Sequence, residues 1–290
     1  MKKLRLGVPK GSLEKATIRL LERSGWQIKI SSRNYFPEVD DEELFCSICR
    51  PQEMSRYIES GVLDAGITGR DWTLENGSDV VEVEDLIYSK DSRRPTRWVL
   101  AVPADSEIKC LEDLNGKKIA TEMVNFTRRY FAERNIKVDI EFSWGATEAK
   151  VVSGLADAIV EVTETENTIR AHDLKIIQEL MTSNPQFIAN KEAWQDPWKR
   201  ARIENIAMLM QGALRADKIV GLKMNVPEER LQAVTGLLPS MNSPTISPLY
   251  DKKWFSLETV IPEHKVRVLV PALLREGAEG IVEYSLNKVI

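Results

Sequence analysis

Between Ala156 and Thr168 the chain reads Ala-Asp-Ala-Ile-Val-Glu-Val-Thr-Glu-Thr-Glu-Asn-Thr, an apolar run that ends in threonines interleaved with carboxylates. A buried strand that ends this way sets hydroxyls and acids just outside its carboxyl end, where open α/β sheets bind their ligands. Hydroxyls and backbone N–H groups at that place suit a sugar phosphate held at the start of the following helix. The acids accept hydrogen bonds from sugar hydroxyls or organise a divalent cation. The same residues would also make a polar surface turn with solvated charges.

Three further stretches carry related chemistry. Gly66-Ile67-Thr68-Gly69-Arg70-Asp71 reads as a strand end with two glycines, which let a ligand come close to the backbone. Lys10-Gly11-Ser12 places a lysine and backbone donors at a helix start, a combination that favours an anion. Arg50 stands at the end of the run Leu44 to Cys49. Each alone is common in α/β proteins, but four anion-friendly elements on one rim point to a phosphorylated ligand.

Cys46 and Cys49 form a Cys-x-x-Cys pair whose offset of three puts the thiols on opposite faces of a strand. A zinc site needs about two more ligands, and the chain has one further cysteine, Cys110, and two histidines, His172 and His264. Buried packing of free thiols is the expected role.

The elements that must position these residues are legible from apolar spacing. Leu4 to Val8 reads as a strand, and Leu13, Ala16, Thr17, Leu20 and Leu21 repeat at helical spacing, with Ser12 as cap and Gly25 as stop. Residues 44–49 and 63–67 read as strands around a helix opened by Pro51. A second set follows in strands 98–103, 117–121, 138–142 and 158–163 with helices 125–134 and 147–153. Such alternation predicts mostly parallel sheets. Residues 187–190 read as a strand, and Asp196-Pro197 opens a long helix to about Ala213. From Val220 the order is strand, helix, two strands, helix, strand, a βαββαβ unit.

At 290 residues the chain is long enough for two or three domains of ~100 to 200 residues. Its 43% hydrophobic and 29% charged content excludes disorder as the main state. Forty basic against 44 acidic residues leave a net charge of -4, which argues against a nucleic-acid surface. No apolar run approaches the ~20 residues of a membrane span. The basic start, Met1 to Arg5, lacks a small-residue cleavage site after its short apolar stretch, so a cytoplasmic location is expected.

Leu6-Gly7-Val8-Pro9-Lys10-Gly11-Ser12-Leu13, Arg50-Pro51, Gly66 to Asp71, Asp157 to Thr168 and Ser243-Pro244-Thr245-Ile246-Ser247-Pro248-Leu249 stand in this order over nearly the whole chain. Together they resemble ATP phosphoribosyltransferase in its long form, which carries a C-terminal regulatory domain. The resemblance implies an α/β fold: a two-lobed, periplasmic-binding-protein-like catalytic core followed by a ferredoxin-like (ACT-like) βαββαβ domain. Expected bounds are 1–92 with 183–213 for lobe I, 93–182 for lobe II and 217–290 for the regulatory domain. It implies that N1 of the ATP adenine attacks C1 of phosphoribosyl pyrophosphate in the first step of histidine biosynthesis. It further implies Mg²⁺, a homo-oligomer between dimer and hexamer, and feedback inhibition by histidine.

By position in the motifs, the resemblance assigns Lys10 and Arg50 to catalysis. It assigns Asp157, Glu161, Thr163, Glu164, Thr165, Glu166, Asn167 and Thr168 to the phosphoribosyl group, and Gly11, Ser12, Thr68, Gly69 and Asp71 to ATP. Asn225, Ser243, Thr245, Ser247 and Leu249 fall to histidine, while Mg²⁺ is expected to arrive with the substrate and no protein residue is assigned as its ligand, Glu161 being the one candidate for a contact. The chain departs from the family where a glycine and a small residue usually stand: here are Glu166-Asn167, and His172-Asp173 replaces a more usual Asn-Gly. Unless it turns to solvent, Glu166 would crowd the 5-phosphate. Displacement at an anomeric carbon needs charge stabilisation on the sugar and on the departing diphosphate, and a neutral ring nitrogen needs no strong base. A two-lobed solute-binding protein and a non-catalytic amino-acid sensor are the competing readings.

Overall fold

Short apolar runs closed by Gly, Pro or a charged residue build most of the chain, and the computed structural model describes residues 2–30, 34–88, 95–239 and 243–290. It divides into one unit of Met1–Glu22 with Trp26–Ala207 and a second of Arg23–Gly25 with Met208–Ile290. The expected join of the lobes at residues 92 and 93 lies outside the described residues.

In the first unit, β1 (Leu4–Pro9) is buried along nearly its whole length and leads through Lys10 to α1 (Glu14–Ser24). The helix starts at Glu14, so Ser12 sits within the preceding turn; Gly11 takes φ 96° there, a conformation that costs glycine little. A two-residue pair, β2 (Ile28–Lys29) with β3 (Glu38–Val39), precedes β4 (Leu44–Cys49), α2 (Pro51–Glu59), β5 (Ala65–Gly69), α3 (Arg70–Asn76) and β6 (Val81–Asp85). The chain then runs through β7 (Thr96–Pro103), β8 (Lys118–Thr121), α4 (Val124–Ala132), β9 (Asp139–Phe142), α5 (Thr147–Val152), β10 (Ala158–Thr163), α6 (Asn167–Ala171) and β11 (Leu174–Ser183). It returns as β12 (Pro185–Ala189), α7 (Lys191–Gln195) and α8 (Pro197–Ala216).

Two five-stranded sheets result, in the orders β4-β1-β5-β12-β6 and β11-β7-β10-β8-β9. Four strands of each sheet run one way, as the expectation of mostly parallel sheets requires, and one strand in each runs against them. In the first sheet β1 runs parallel to β4 and β5, but β12 is antiparallel to β5 and β6. In the second, β8, β9 and β10 are parallel while β7 is antiparallel to both its neighbours. The strands of opposite sense are those on which the chain passes from one sheet to the other, so they enter from the far end. Sequence spacing missed β6 and β11. The register of β11 on β7 shifts between Ile176 and Gln178 and again between Glu179 and Met181, and such bulges erase the period of two.

Packing fixes these layers. β7 sends Trp98, Leu100 and Val102 into a core with Phe131 of α4, and Val99 and Ala101 into another with Ile159 and Ile169. Gly7 and Gly66 let α2 lie close on the first sheet, since a Cβ at Gly7 would stand 2.3 Å from the Met54 sulfur. Glu75 of α3 accepts from the Asn125 and Phe126 N–H groups at 2.9 and 2.8 Å, linking the two sheets' helices at the start of α4. Cys46 is buried, and Cys49 lies on the other face against the Met54 sulfur. Burial pushes both thiols up to about 12, which keeps them protonated.

The second unit has β13 (Ile219–Pro227), α9 (Leu231–Leu237), β14 (Thr245–Pro248), β15 (Trp254–Pro262), α10 (Val266–Arg275) and β16 (Glu279–Ser285). Its antiparallel sheet, ordered β14-β15-β13-β16, is the ferredoxin-like arrangement read from the sequence. Val220, Leu222, Met224 and Val226 alternate into its core, which leaves Asn225 on the other face. Asn225 pairs with Ser256, and Ser256 pairs with Ser247 on the edge strand. Directly opposed residues share a face, so Asn225 and Ser247 lie in one row two strands apart. Among the described residues no helix is long and apolar enough to cross a membrane.

Candidate active site

The carboxyl ends of β1, β4, β5 and β10 converge on a cavity of about 590 Å³ in the first unit. Lys10, Gly11, Ser12 and Arg50 line one side, Gly69 and Asp71 the next, and Thr163 and Glu164 another. The Lys10 ammonium lies 4.6 Å from the ring centre of Tyr35, and the Arg50 guanidinium 5.3 Å from that of Trp144. Neither cation forms a salt bridge among the described residues. Two exposed cations without a counter-ion on one rim are prepared for a polyanion.

The expected residues divide sharply by position. Thr68 is buried, and its hydroxyl donates to the Pro51 carbonyl at 2.7 Å, so it anchors the start of α2 beside Arg50 and is not on the cavity wall. Asp157 stands at the opposite end of β10, where its carboxylate accepts from the Lys118 N–H at 2.8 Å. A six-residue strand, roughly 20 Å long, separates it from the loop, so the sequence run joined two ends of one strand. Glu161, set two residues back from the end of β10, is also off the cavity wall. Thr165 lies on the turn that continues from Thr163 and Glu164, and Asn167 and Thr168 open α6; all three are exposed and off the cavity wall. Glu166 is drawn aside by Arg97 at 2.5 Å and Arg170 at 2.9 Å and does not line the cavity.

Sequence reasoning missed Trp72, Tyr88, Trp98, Glu122 and Ser183, all of which line the cavity. Asp71 explains several of them. Its carboxylate accepts from the Trp98 indole N–H at 2.8 Å and the Trp72 N–H at 3.0 Å, and its own N–H donates to the Ser183 hydroxyl at 3.1 Å. Burial raises the Asp71 carboxyl above the usual carboxylate range in spite of these donors, and burial likewise raises Glu122. Nothing local in the sequence marks Trp98 or Ser183 as partners of a residue 27 or 112 positions away.

Burial pushes the Glu161 carboxyl up from 4.5 to about 7, with Glu148 and Glu122 adding repulsion. Its contribution to stability is therefore complete below the unfolded value of 4.5 and is lost as pH rises toward 7. Glu161→Gln removes the ionisation. At pH 8 the variant should be more stable than wild type by about 2 kcal/mol, and at pH 4 this advantage should vanish. Urea unfolding at the two pH values checks this; the same difference at both would contradict it.

Two sheets whose strand ends enclose exposed cations, carboxylates and a threonine-bearing loop define a two-lobed α/β protein with a cavity rimmed by charged groups. Comparison with known proteins narrows the class. Residues 50–212 match the family model described as ATP phosphoribosyltransferase, and residues 216–288 match that of its C-terminal domain. The ATP phosphoribosyltransferase of Desulfatibacillum aliphaticivorans is 65% identical over 99% of this chain and 98% of its own. That of Solidesulfovibrio magneticus is 64% identical with the same coverage. Among solved structures, a chain of the ATP phosphoribosyl transferase (HisG:HisZ) complex from Thermotoga maritima is 27% identical, with a TM-score of 0.64 over 74% of this chain and 98% of that one. Tv2483, solved with L-arginine bound, shares the fold alone, at 15% identity and a TM-score of 0.50 over 72% of this chain and 84% of its own. The chain belongs to the ATP phosphoribosyltransferase family, a family of pentosyltransferases.

Proposed function

We propose that this chain joins ATP to phosphoribosyl pyrophosphate, forming N1-(5-phosphoribosyl)-ATP and pyrophosphate as the first step of histidine biosynthesis. The observation that carries the reading is the pair of exposed cations, Lys10 and Arg50, sharing one cavity with Thr163 and Glu164. The adenine N1 lone pair forms the new bond to C1 of the ribose, and the C1–O bond breaks with its electron pair going to pyrophosphate. Lys10 and Arg50 take up charge on the departing diphosphate, and Glu164 faces the electron-poor sugar. The threonines from Thr163 to Thr168 hold the 5-phosphate, and Gly11, Ser12, Gly69 and Asp71 border the nucleotide. No general base is needed, so positioning and electrostatics supply the acceleration.

Among the described residues no three His, Cys, Asp or Glu side chains converge into an ion cage. In this reading Mg²⁺ arrives on the diphosphate of the substrate, and Asp71, Glu122 and Glu164 are the carboxylates on the cavity wall. In the second unit, the shared row of Asn225 and Ser247, flanked by Ser243, Thr245 and Leu249, supports a histidine site that regulates a cytoplasmic homo-oligomer. Mixing the protein with ATP, Mg²⁺ and phosphoribosyl pyrophosphate should produce the ultraviolet change of an N1-substituted adenine, and added histidine should suppress it. No absorbance change would remove the activity, and a rate indifferent to histidine would remove the regulation.

A further inference from the structure

Glu166 stands in the middle of the threonine loop with φ 63° and ψ 7°, the left-handed region where glycine is at ease and a branched or charged residue is uncommon. Three contacts hold it there. Its N–H donates to the Thr163 hydroxyl at 2.9 Å, one carboxylate oxygen meets Arg97 at 2.5 Å, and the other meets Arg170 at 2.9 Å. Arg97 also reaches Glu179 on β11 at 3.3 Å and pairs in register with Thr163 on β10 and Thr182 on β11. The two arginines hold the Glu166 carboxyl below the usual range, so it is charged at neutral pH.

We propose that Glu166 is a positioning residue that never touches the sugar phosphate but ties its loop to β7 through Arg97, fixing the threonines in their receiving geometry. This role rests on the reading of residues 163–168 as the phosphoribosyl loop. A glycine at this place would satisfy the backbone but leave the loop free on one side. The glutamate accepts the backbone strain and in exchange anchors the loop to the sheet. It also neutralises Arg97 and Arg170, two cations that would otherwise be drawn to the incoming phosphate.

Steady-state kinetics of Glu166→Gln, Arg97→Met and the double variant test this role. Each single change should raise KM for phosphoribosyl pyrophosphate about three- to fivefold, with KM for ATP and kcat within about twofold of wild type. The double variant should fall well short of the sum of the singles, since both break the shared Glu166–Arg97 tie, while each also gives up a second contact, to Arg170 or to Glu179. Arg97→Lys, which keeps one contact, should recover part of the loss, and Glu166→Gly should not. Hydrogen exchange across residues 160–172 without substrate should be faster in Glu166→Gln than in wild type. An active wild type whose Glu166→Gln form has unchanged or lowered KM, or equal shifts for both substrates, overturns the role. Additive effects in the double variant, or unchanged exchange, also count against it. A wild type with no turnover removes the reading and this role together, and only that outcome implicates the reading.

Discussion

Arg50→Ala should lower kcat/KM by about 10²- to 10³-fold, the usual loss when one preorganised donor to developing negative charge is removed. The fold should scarcely notice. Arg50 precedes α2 without capping it by its side chain, is exposed, and contacts the Trp144 ring at 5.3 Å. An exposed cation–π contact of this kind contributes about 0.5–1 kcal/mol, so urea unfolding should move by no more than that. Arg50→Lys should recover only part of the activity, because an ammonium lacks the planar fork that grips two phosphate oxygens at once. Initial rates with each substrate varied in turn supply the measurement. Rates within threefold of wild type in Arg50→Ala would place the departing diphosphate elsewhere.

Gly69→Ala acts through packing and should destabilise the protein by about 2–4 kcal/mol, the combined scale of overpacking and a broken hydrogen bond to a charged group. The backbone at Gly69, φ −72° and ψ 144°, suits alanine well, so conformational strain is not the cause. The new Cβ would stand 2.0 Å from a carboxylate oxygen of Asp71. Asp71 is only 7% exposed and is held by Trp98 and Trp72, so it yields only by giving up those donors. Its bond to Trp98 joins α3 beside the first sheet to β7 in the second. Losing it leaves a buried carboxylate short of partners and loosens the cavity wall, so activity should fall as well. Trp98→Phe removes the bond without the clash and should cost less. A change below about 0.5 kcal/mol in the urea unfolding of Gly69→Ala would show that Asp71 has room to move.

Most of the chemistry-bearing stretches were legible because each closes a local pattern. β1, β4 and β10 appear as apolar runs, and each ends in a polar signal: Lys10-Gly11, Arg50, or Thr163-Glu164. The βαββαβ order of the second unit followed from the same periods. Face and end were harder to read. Thr68 and Gly69 are adjacent, yet the threonine hydroxyl is spent on Pro51 while the glycine borders the cavity. Asp157 and Thr163 belong to one short motif but stand at opposite ends of a strand. Glu166 looked like an obstacle to phosphate until Arg97, 69 positions away, drew it aside.

Residue order and type by themselves determined where most strands and helices form, which polar residues follow the strands, and that the rim bears cations and hydroxyls. These depend on short-range periodicity and on turn chemistry within a few residues. Only the tertiary structure decided that β7 and β12 run against their neighbours, that Asp71 binds Trp98, and that Glu166 leaves the cavity clear. Those outcomes depend on contacts between residues far apart in the chain, where strand sense and side-chain partners are chosen by the packing of whole sheets, and no local spacing records that choice.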